Sequence, residues 1–185
     1  MLTMNELKLG QVINLNNEPY QIVSRQHIKV ARGSAVLKTK LKNLITGSSL
    51  EKTFSGADNI EEADIIRRRA SFLYQEKDKF FFMDKENFSQ FQLNSKTLGS
   101  LVKYLKDGQE TDVLIFNDNP VAIALPKKIV LEVSSAPEGV RGNSSGAVTK
   151  VVVLETGLEI KTPLFIKKGD QVRINTERGE YLERI

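Results

Sequence analysis

The chain has 185 residues, 40% hydrophobic and 27% charged, with a net charge of +4 and a pI near 9.2. That length buries one or two cores, and the absence of cysteine excludes disulfides, thiolate metal sites and a cysteine nucleophile. No apolar run approaches the roughly 18 residues needed to span a bilayer, and Met1-Leu2-Thr3-Met4-Asn5-Glu6 has no basic segment followed by an apolar one, so a cytoplasmic protein with no membrane partner is expected.

Short strands separated by turn chemistry dominate the order of elements. Val12 to Leu15, the turn Asn16-Asn17-Glu18 and Tyr20 to Ile28 read as a hairpin, and Val36 to Leu44 follows. Turns at Thr46-Gly47 and Ser55-Gly56-Ala57-Asp58 then lead to an acidic stretch ending at Asp64. A second unit opens on Ile65-Ile66-Arg67-Arg68-Arg69, runs through Phe72-Leu73-Tyr74, turns at Glu76-Lys77-Asp78 and returns along Phe80-Phe81-Phe82-Met83. Leu98, Leu101, Val102 and Leu105 recur at helical spacing, with Asn94 or Ser95 to cap the start and Gly108 to suit the end, which predicts a helix. Strands at Val113 to Phe116 and Val121 to Leu125 flank the turn Asn117-Asp118-Asn119-Pro120.

A third unit has strands at Ile129 to Val133, Val148 to Leu154, Leu158 to Lys161, Gln171 to Asn175 and Tyr181 to Arg184. So many short strands predict an all-β chain of three small barrels, residues 1–64, 65–128 and 129–185, each closed on itself and sharing little core with its neighbours. Such a molecule is elongated. The net charges of the three segments are +1, +3 and 0. One internal echo stands out: Leu7-Lys8-Leu9-Gly10-Gln11-Val12 and Ile166-Lys167-Lys168-Gly169-Asp170-Gln171-Val172 read as the same turn used twice.

The charge pattern is most pointed between Pro19 and Leu50, which holds no Asp or Glu but six basic residues, Arg25, Lys29, Arg32, Lys38, Lys40 and Lys42. A segment that keeps positive charge and excludes negative charge faces a polyanion in this reading. Strand side chains alternate between faces, so Lys38, Lys40 and Lys42 share one face and Leu37, Thr39 and Leu41 the other. On the incoming strand Arg25, His27 and Lys29 form a polar row opposite Tyr20, Ile22 and Ile28. The tip is Lys29-Val30-Ala31-Arg32-Gly33-Ser34, where arginine offers a planar, permanently charged donor fork and glycine relieves a tight turn. Arg67, Arg68 and Arg69 are a further candidate phosphate-facing run, with a solvated linker as the bland alternative.

Catalytic chemistry is nearly absent from the pattern. His27 is the sole histidine, so neither a metal cluster nor a serine–histidine pair is readily built. Glu61 with Glu62 and Asp84 with Glu86 read as solvated charges, and Gly139-Val140-Arg141-Gly142 lacks the spacing of a phosphate-binding loop. The Phe80-Phe81-Phe82 run reads as core, leaving one outward ring open to other roles. No enzyme, metal or cofactor is expected.

Across essentially its whole length the chain resembles the elongation factor P family. The carriers are the tip segment Lys29 to Ala35, Leu41-Lys42-Asn43-Leu44-Ile45-Thr46-Gly47 with Glu51-Lys52-Thr53-Phe54, and Phe82-Met83-Asp84 with Glu86 and Phe88. The most specific are Lys150, Gly157, Ile160, Pro163, Leu164-Phe165-Ile166 and Gly169, followed by Arg178-Gly179-Glu180-Tyr181. The resemblance implies an N-terminal SH3-like (KOW-type) barrel and two OB-fold barrels in an L shape. It implies binding to the ribosome between the peptidyl-tRNA and exit sites and relief of stalling at consecutive prolines, with Arg32 reaching toward the peptidyl-transferase centre. Implied partners are ribosomal RNA, peptidyl-tRNA, the exit-site codon of the mRNA and a tip-modifying enzyme, with the factor itself a monomer.

Two segments depart from the family pattern. Many members carry Lys-Pro-Gly-Lys at the tip with the last lysine modified, and one arginine branch carries rhamnose on it. Val30-Ala31-Arg32-Gly33 is closer to the elongation factor P-like subgroup, so Arg32 stands as either a rhamnosylated or an unmodified arginine. Gly142-Asn143-Ser144 stands where the family usually has Gly-Asp-Thr near the exit-site codon, and Val152 and Thr162 replace a common alanine and valine. A general single-stranded RNA-binding OB protein or RNA chaperone is the alternative function, and a structural adaptor barrel a third.

Overall fold

The computed structural model describes residues 1–28, 35–138 and 149–185. Its first sheet comprises β1 (Val12–Leu15), β2 (Glu18–Ile28), β3 (Val36–Asn43), β4 (Ser49–Ser55) and β5 (Glu61–Glu62), in the order β4-β3-β2-β1-β5. The β1–β2 turn is two residues long, with Leu15 opposite Glu18 and both Asn16 (φ 54°) and Asn17 (φ 64°) left-handed. That turn matches strand twist, and asparagine tolerates the left-handed region it needs. Met4, Leu7, Ile13, Ile22, Leu37, Leu41, Phe54 and Ile60 fill the barrel.

The second sheet is β6 (Ile66–Glu76), β7 (Lys79–Asp84), β8 (Gln90–Asn94), β9 (Glu110–Phe116) and β10 (Asn119–Ala124), and the third β11 (Lys128–Ser135), β12 (Thr149–Leu154), β13 (Glu159–Pro163), β14 (Gln171–Asn175) and β15 (Glu180–Arg184). Their orders, β10-β9-β6-β7-β8 and β13-β12-β11-β14-β15, are one topology written in opposite directions. In each, the first strand of the unit lies at the centre with its hairpin partners on one side and the last two strands on the other. Both sheets curl until their edge strands, β8 with β10 and β13 with β15, approach each other.

The predicted helix is mostly absent. Only α1 (Ser95–Leu98) is α-helical, followed by a 3-10 turn over Gly99–Tyr104. Gly99 sits at φ 60°, ψ −129°, outside any helical region, and breaks the element after one turn. The apolar spacing nonetheless marks the inward face, since Leu98 and Leu105 lie in the second core with Phe72, Phe80 and Phe82. The turn shared by the two ends of the chain is seen directly. Gly10 (φ 82°) and Gly169 (φ 87°) are left-handed, and the side chains of Gln11 and Asp170 accept from the backbone N–H of Lys8 and Lys167 at 3.0 and 2.8 Å.

The barrels share more core than their sequence suggests. Leu44 and Ala63 of the first unit are buried in one cluster with Leu114, Phe116, Val121 and Ala122 of the second, and Val12 and Ile65 pack against it. Tyr104 of the second unit lies in the third core. The reason is the length of the connections. Three residues separate β5 from β6 and three separate β10 from β11, so adjacent barrels are held side by side and bury the apolar residues at their junctions.

Candidate nucleic-acid interface

The β2–β3 hairpin is the element that carries the basic window. On β3, Leu37, Thr39, Leu41 and Asn43 are buried while Lys38 and Lys40 are exposed, as strand alternation requires. The incoming strand differs from its simple alternation. Register shifts between Ile22 and Ser24, so Val23 is extra and every residue beyond it changes face. Ser24 and Gln26 therefore stand opposite Lys40 and Lys38, whereas Arg25 and His27, both exposed, pair with the buried Thr39 and Leu37. Ile28, opposite Val36, has moved away from the face of Ile22. The Arg25 guanidinium folds over the barrel end, where Nη1 donates to the Leu7 carbonyl at 2.6 Å.

The lysine row is likewise divided. Lys38 and Lys40 face solvent, and Lys38 pairs with Glu51 at 3.1 Å, a residue that also stands opposite Lys40 in register. The acid-free window ends one residue before Glu51, so the face carries one acid that strand pairing returns to it. An exposed pair of this kind contributes about 0–1 kcal/mol and leaves both lysines able to turn to a phosphate. Lys42, at the other end of the row, is half-buried. Its Nζ donates to the Thr97 carbonyl at 2.9 Å, and burial holds its pKa below the ordinary lysine value.

Arg67, Arg68 and Arg69 are not a linker but the beginning of β6. Alternation splits them. Arg67 and Arg69 are exposed, while Arg68 points the other way to Asp84 (3.4 Å, a side chain 5% exposed) and Glu86 (3.5 Å). Arg67 and Arg69 thus lie on the solvent face of β6, and Arg68 holds the Asp84 turn. In the phenylalanine run, Phe80 and Phe82 are core and the outward Phe81 stacks on Tyr74 at 4.7 Å between ring centres.

The tip, Lys29, Val30, Ala31, Arg32, Gly33 and Ser34, and the loop residues Gly142, Asn143 and Ser144 lie outside the described residues. Two contacts had no legible signal. Lys52 places its ammonium 5.4 Å from the centre of the Phe54 ring, and Lys42 finds a partner 55 residues away. Among the described residues no group of three or more His, Cys, Asp or Glu is placed to hold a metal, and no helix is long and apolar enough to cross a membrane.

One meander barrel followed by two barrels of a common topology, with exposed lysines along a hairpin of the first, defines an all-β chain of KOW-like and OB-type domains. Family models agree along the chain: the elongation factor P KOW-like domain matches residues 3–60, its OB domain 65–123 and its C-terminal domain 129–184. Proteins named elongation factor P from Dictyoglomus turgidum and Moorella thermoacetica are each 40% identical over 184 residues, covering 100% of both chains. That from Acetivibrio thermocellus is 37% identical over 185 residues, again covering 100% of both. A solved structure described as eukaryotic translation initiation factor 5A from Methanococcus jannaschii aligns with 62% of this chain and 85% of that one, at 20% identity and a TM-score of 0.48. On the full-length relatives and the three family models, the chain belongs to the elongation factor P family of translation factors.

Proposed function

We propose that this translation elongation factor binds the ribosome between the peptidyl-tRNA and exit sites and promotes peptide-bond formation where consecutive prolines stall it. The observation that carries the reading is the β2–β3 hairpin, with exposed Lys38 and Lys40 on one face, a packed core on the other, and Arg32 in the segment joining its strands. A thin hairpin enters an RNA-lined crevice, and a bound scaffold that restricts a poor substrate to productive geometry accelerates the reaction with no acid, base or nucleophile of its own. Arg32 is the residue presented to the peptidyl-tRNA, either bare or carrying rhamnose from a modifying enzyme. Asn143 and Ser144, with Gly142, face the exit-site codon, and Arg67 and Arg69 lie along RNA phosphates. The factor acts in the cytoplasm as a monomer, without metal or cofactor.

The test is reconstituted translation of a polyproline reporter beside a proline-free control, with ribosome binding measured in parallel. Arg32→Ala retains binding, losing about 1–3 kcal/mol at most from a charge-assisted contact, but rescue of the polyproline reporter collapses. Arg32→Lys rescues in part, because an ammonium keeps the charge and loses the planar fork. Full rescue by Arg32→Ala overturns the tip mechanism. Absence of stimulation by the natively modified wild type, together with binding to free RNA, favours an RNA chaperone instead.

A further inference from the structure

The junction of the first two barrels holds a reciprocal pair of polar contacts set in a close backbone approach. Lys42, at the base of β3, donates from Nζ to the Thr97 carbonyl at 2.9 Å, and the Thr97 hydroxyl donates back to the Ile45 carbonyl at 3.1 Å. Between them the backbones nearly touch, since a β-carbon on Gly47 would lie 2.6 Å from the Lys96 carbonyl oxygen. Gly99 leaves room on the other side, where an added β-carbon would stand 3.6 Å from the Lys42 ammonium. The shared cluster of Leu44, Phe116 and Val121 lies at the same junction.

We propose that Lys42 is a positioning residue: it locks the angle of the β2–β3 hairpin to the second barrel and makes no contact with RNA. The inference rests on the reading that the hairpin tip acts at the peptidyl-transferase centre. Val36, at the far end of β3, lies six positions from Lys42. At about 3.3 Å per residue that is a lever of about 20 Å, and a 5° rocking at its base moves its end by about 2 Å. Misplacement of about 1 Å in a near-attack arrangement costs on the order of 100-fold in rate. A loosened base therefore reduces stimulation while the broad RNA interface still binds. Half-burial of the ammonium fits the assignment, because Lys42 Nζ would need to give up the Thr97 carbonyl before it could reach an RNA phosphate.

The chain contains no cysteine, so one spin label can be placed on each barrel at the exposed positions Thr53→Cys and Lys79→Cys. Electron–electron distance measurement is expected to give one narrow distribution for the parent and for Lys42→Arg, and a broadened or shifted one for Lys42→Met. Thr97→Val, which removes only the return bond, broadens it to a smaller degree and serves if Lys42→Met does not fold. In the same preparations without labels, the slope of log affinity for ribosomes against log salt falls by about 0.7–0.9 in Lys40→Met, as for one lost phosphate contact, and is unchanged in Lys42→Met. Polyproline stimulation by Lys42→Met falls tenfold or more while ribosome affinity changes less than threefold. An unaltered distance distribution in both Lys42→Met and Thr97→Val overturns the lock, and a slope reduced as in Lys40→Met makes Lys42 an RNA ligand. If the wild type itself gives no polyproline stimulation, the functional reading fails, and the distances still decide the lock.

Discussion

Thr39 and Thr162 occupy the same kind of place and have opposite chemistry. Each is a strand threonine 1% exposed. The Thr39 hydroxyl donates to the Lys52 carbonyl at 2.8 Å, whereas the Thr162 hydroxyl has no hydrogen-bond partner among the described residues. A buried hydroxyl without a partner costs about 1–3 kcal/mol, and valine has the same shape without it. Thr162→Val is therefore expected to raise stability by about 1 kcal/mol or more, seen as a higher urea midpoint with unchanged slope. Thr39→Val is expected to lower it by about 1 kcal/mol, having lost a made bond. Changes of the same sign in both variants would remove the explanation.

At the scale of single elements, Gly47 in the turn before β4 is, among the described glycines, the one with least room for a β-carbon, 2.6 Å from the Lys96 carbonyl of the second barrel. Gly47 (φ 73°) and Gly10 (φ 82°) impose a similar left-handed penalty on alanine, but a β-carbon at Gly10 meets nothing within 4 Å while one at Gly47 meets the Lys96 carbonyl. The difference between the two variants thus isolates the steric term. Gly10→Ala is expected to cost about 1 kcal/mol and Gly47→Ala at least about 2 kcal/mol more, measured by denaturant unfolding of the full chain. Equal costs would mean that the junction yields. Most strands and the places of the turns were legible in sequence because alternation and clustered Asn or Asp residues act within a few positions, as at Asn16-Asn17 and Asn117-Asp118, but both turns are two residues long rather than three and four, and β8 gave no such signal. The bulge at Val23 was not, since one inserted residue leaves the hydrophobic pattern nearly intact yet turns Arg25 toward Leu7. The helix failed at Gly99 for a related reason: spacing reports which face is buried, not the backbone conformation that buries it. In the site, exposed Lys38 and Lys40 followed from parity, while Glu51 facing Lys38 and Thr97 facing Lys42 arise from pairings between distant segments.

For the whole molecule, the shared junction decides whether the first barrel is an independent unit. Residues 1–64 hold their own core of Met4, Leu7, Ile13, Ile22, Leu37, Leu41, Phe54 and Ile60, so the isolated segment is expected to fold. Leu44, however, shares its cluster with Ala63 and Val12 of its own unit but with Leu114, Phe116, Val121 and Ala122 of the second. Cutting the chain after Asp64 partly uncovers it, so the fragment folds with lower stability than the same residues have in the full chain. A buried leucine is worth about 1.5–3 kcal/mol in transfer alone, and Leu→Ala in a packed site costs about 2–5 kcal/mol. Leu44→Ala is therefore expected to cost about 2 kcal/mol or more in the whole chain and at least about 1 kcal/mol less in fragment 1–64, where the side chain keeps only its first-unit neighbours. Urea unfolding followed by far-ultraviolet circular dichroism on the four proteins closes the cycle. If Leu44→Ala costs the same in both contexts, the first barrel buries Leu44 by itself and the two barrels are not coupled through this core. If the costs differ as expected, the hairpin that carries Arg32 is part of a body larger than its own barrel, and its aim is set from the second.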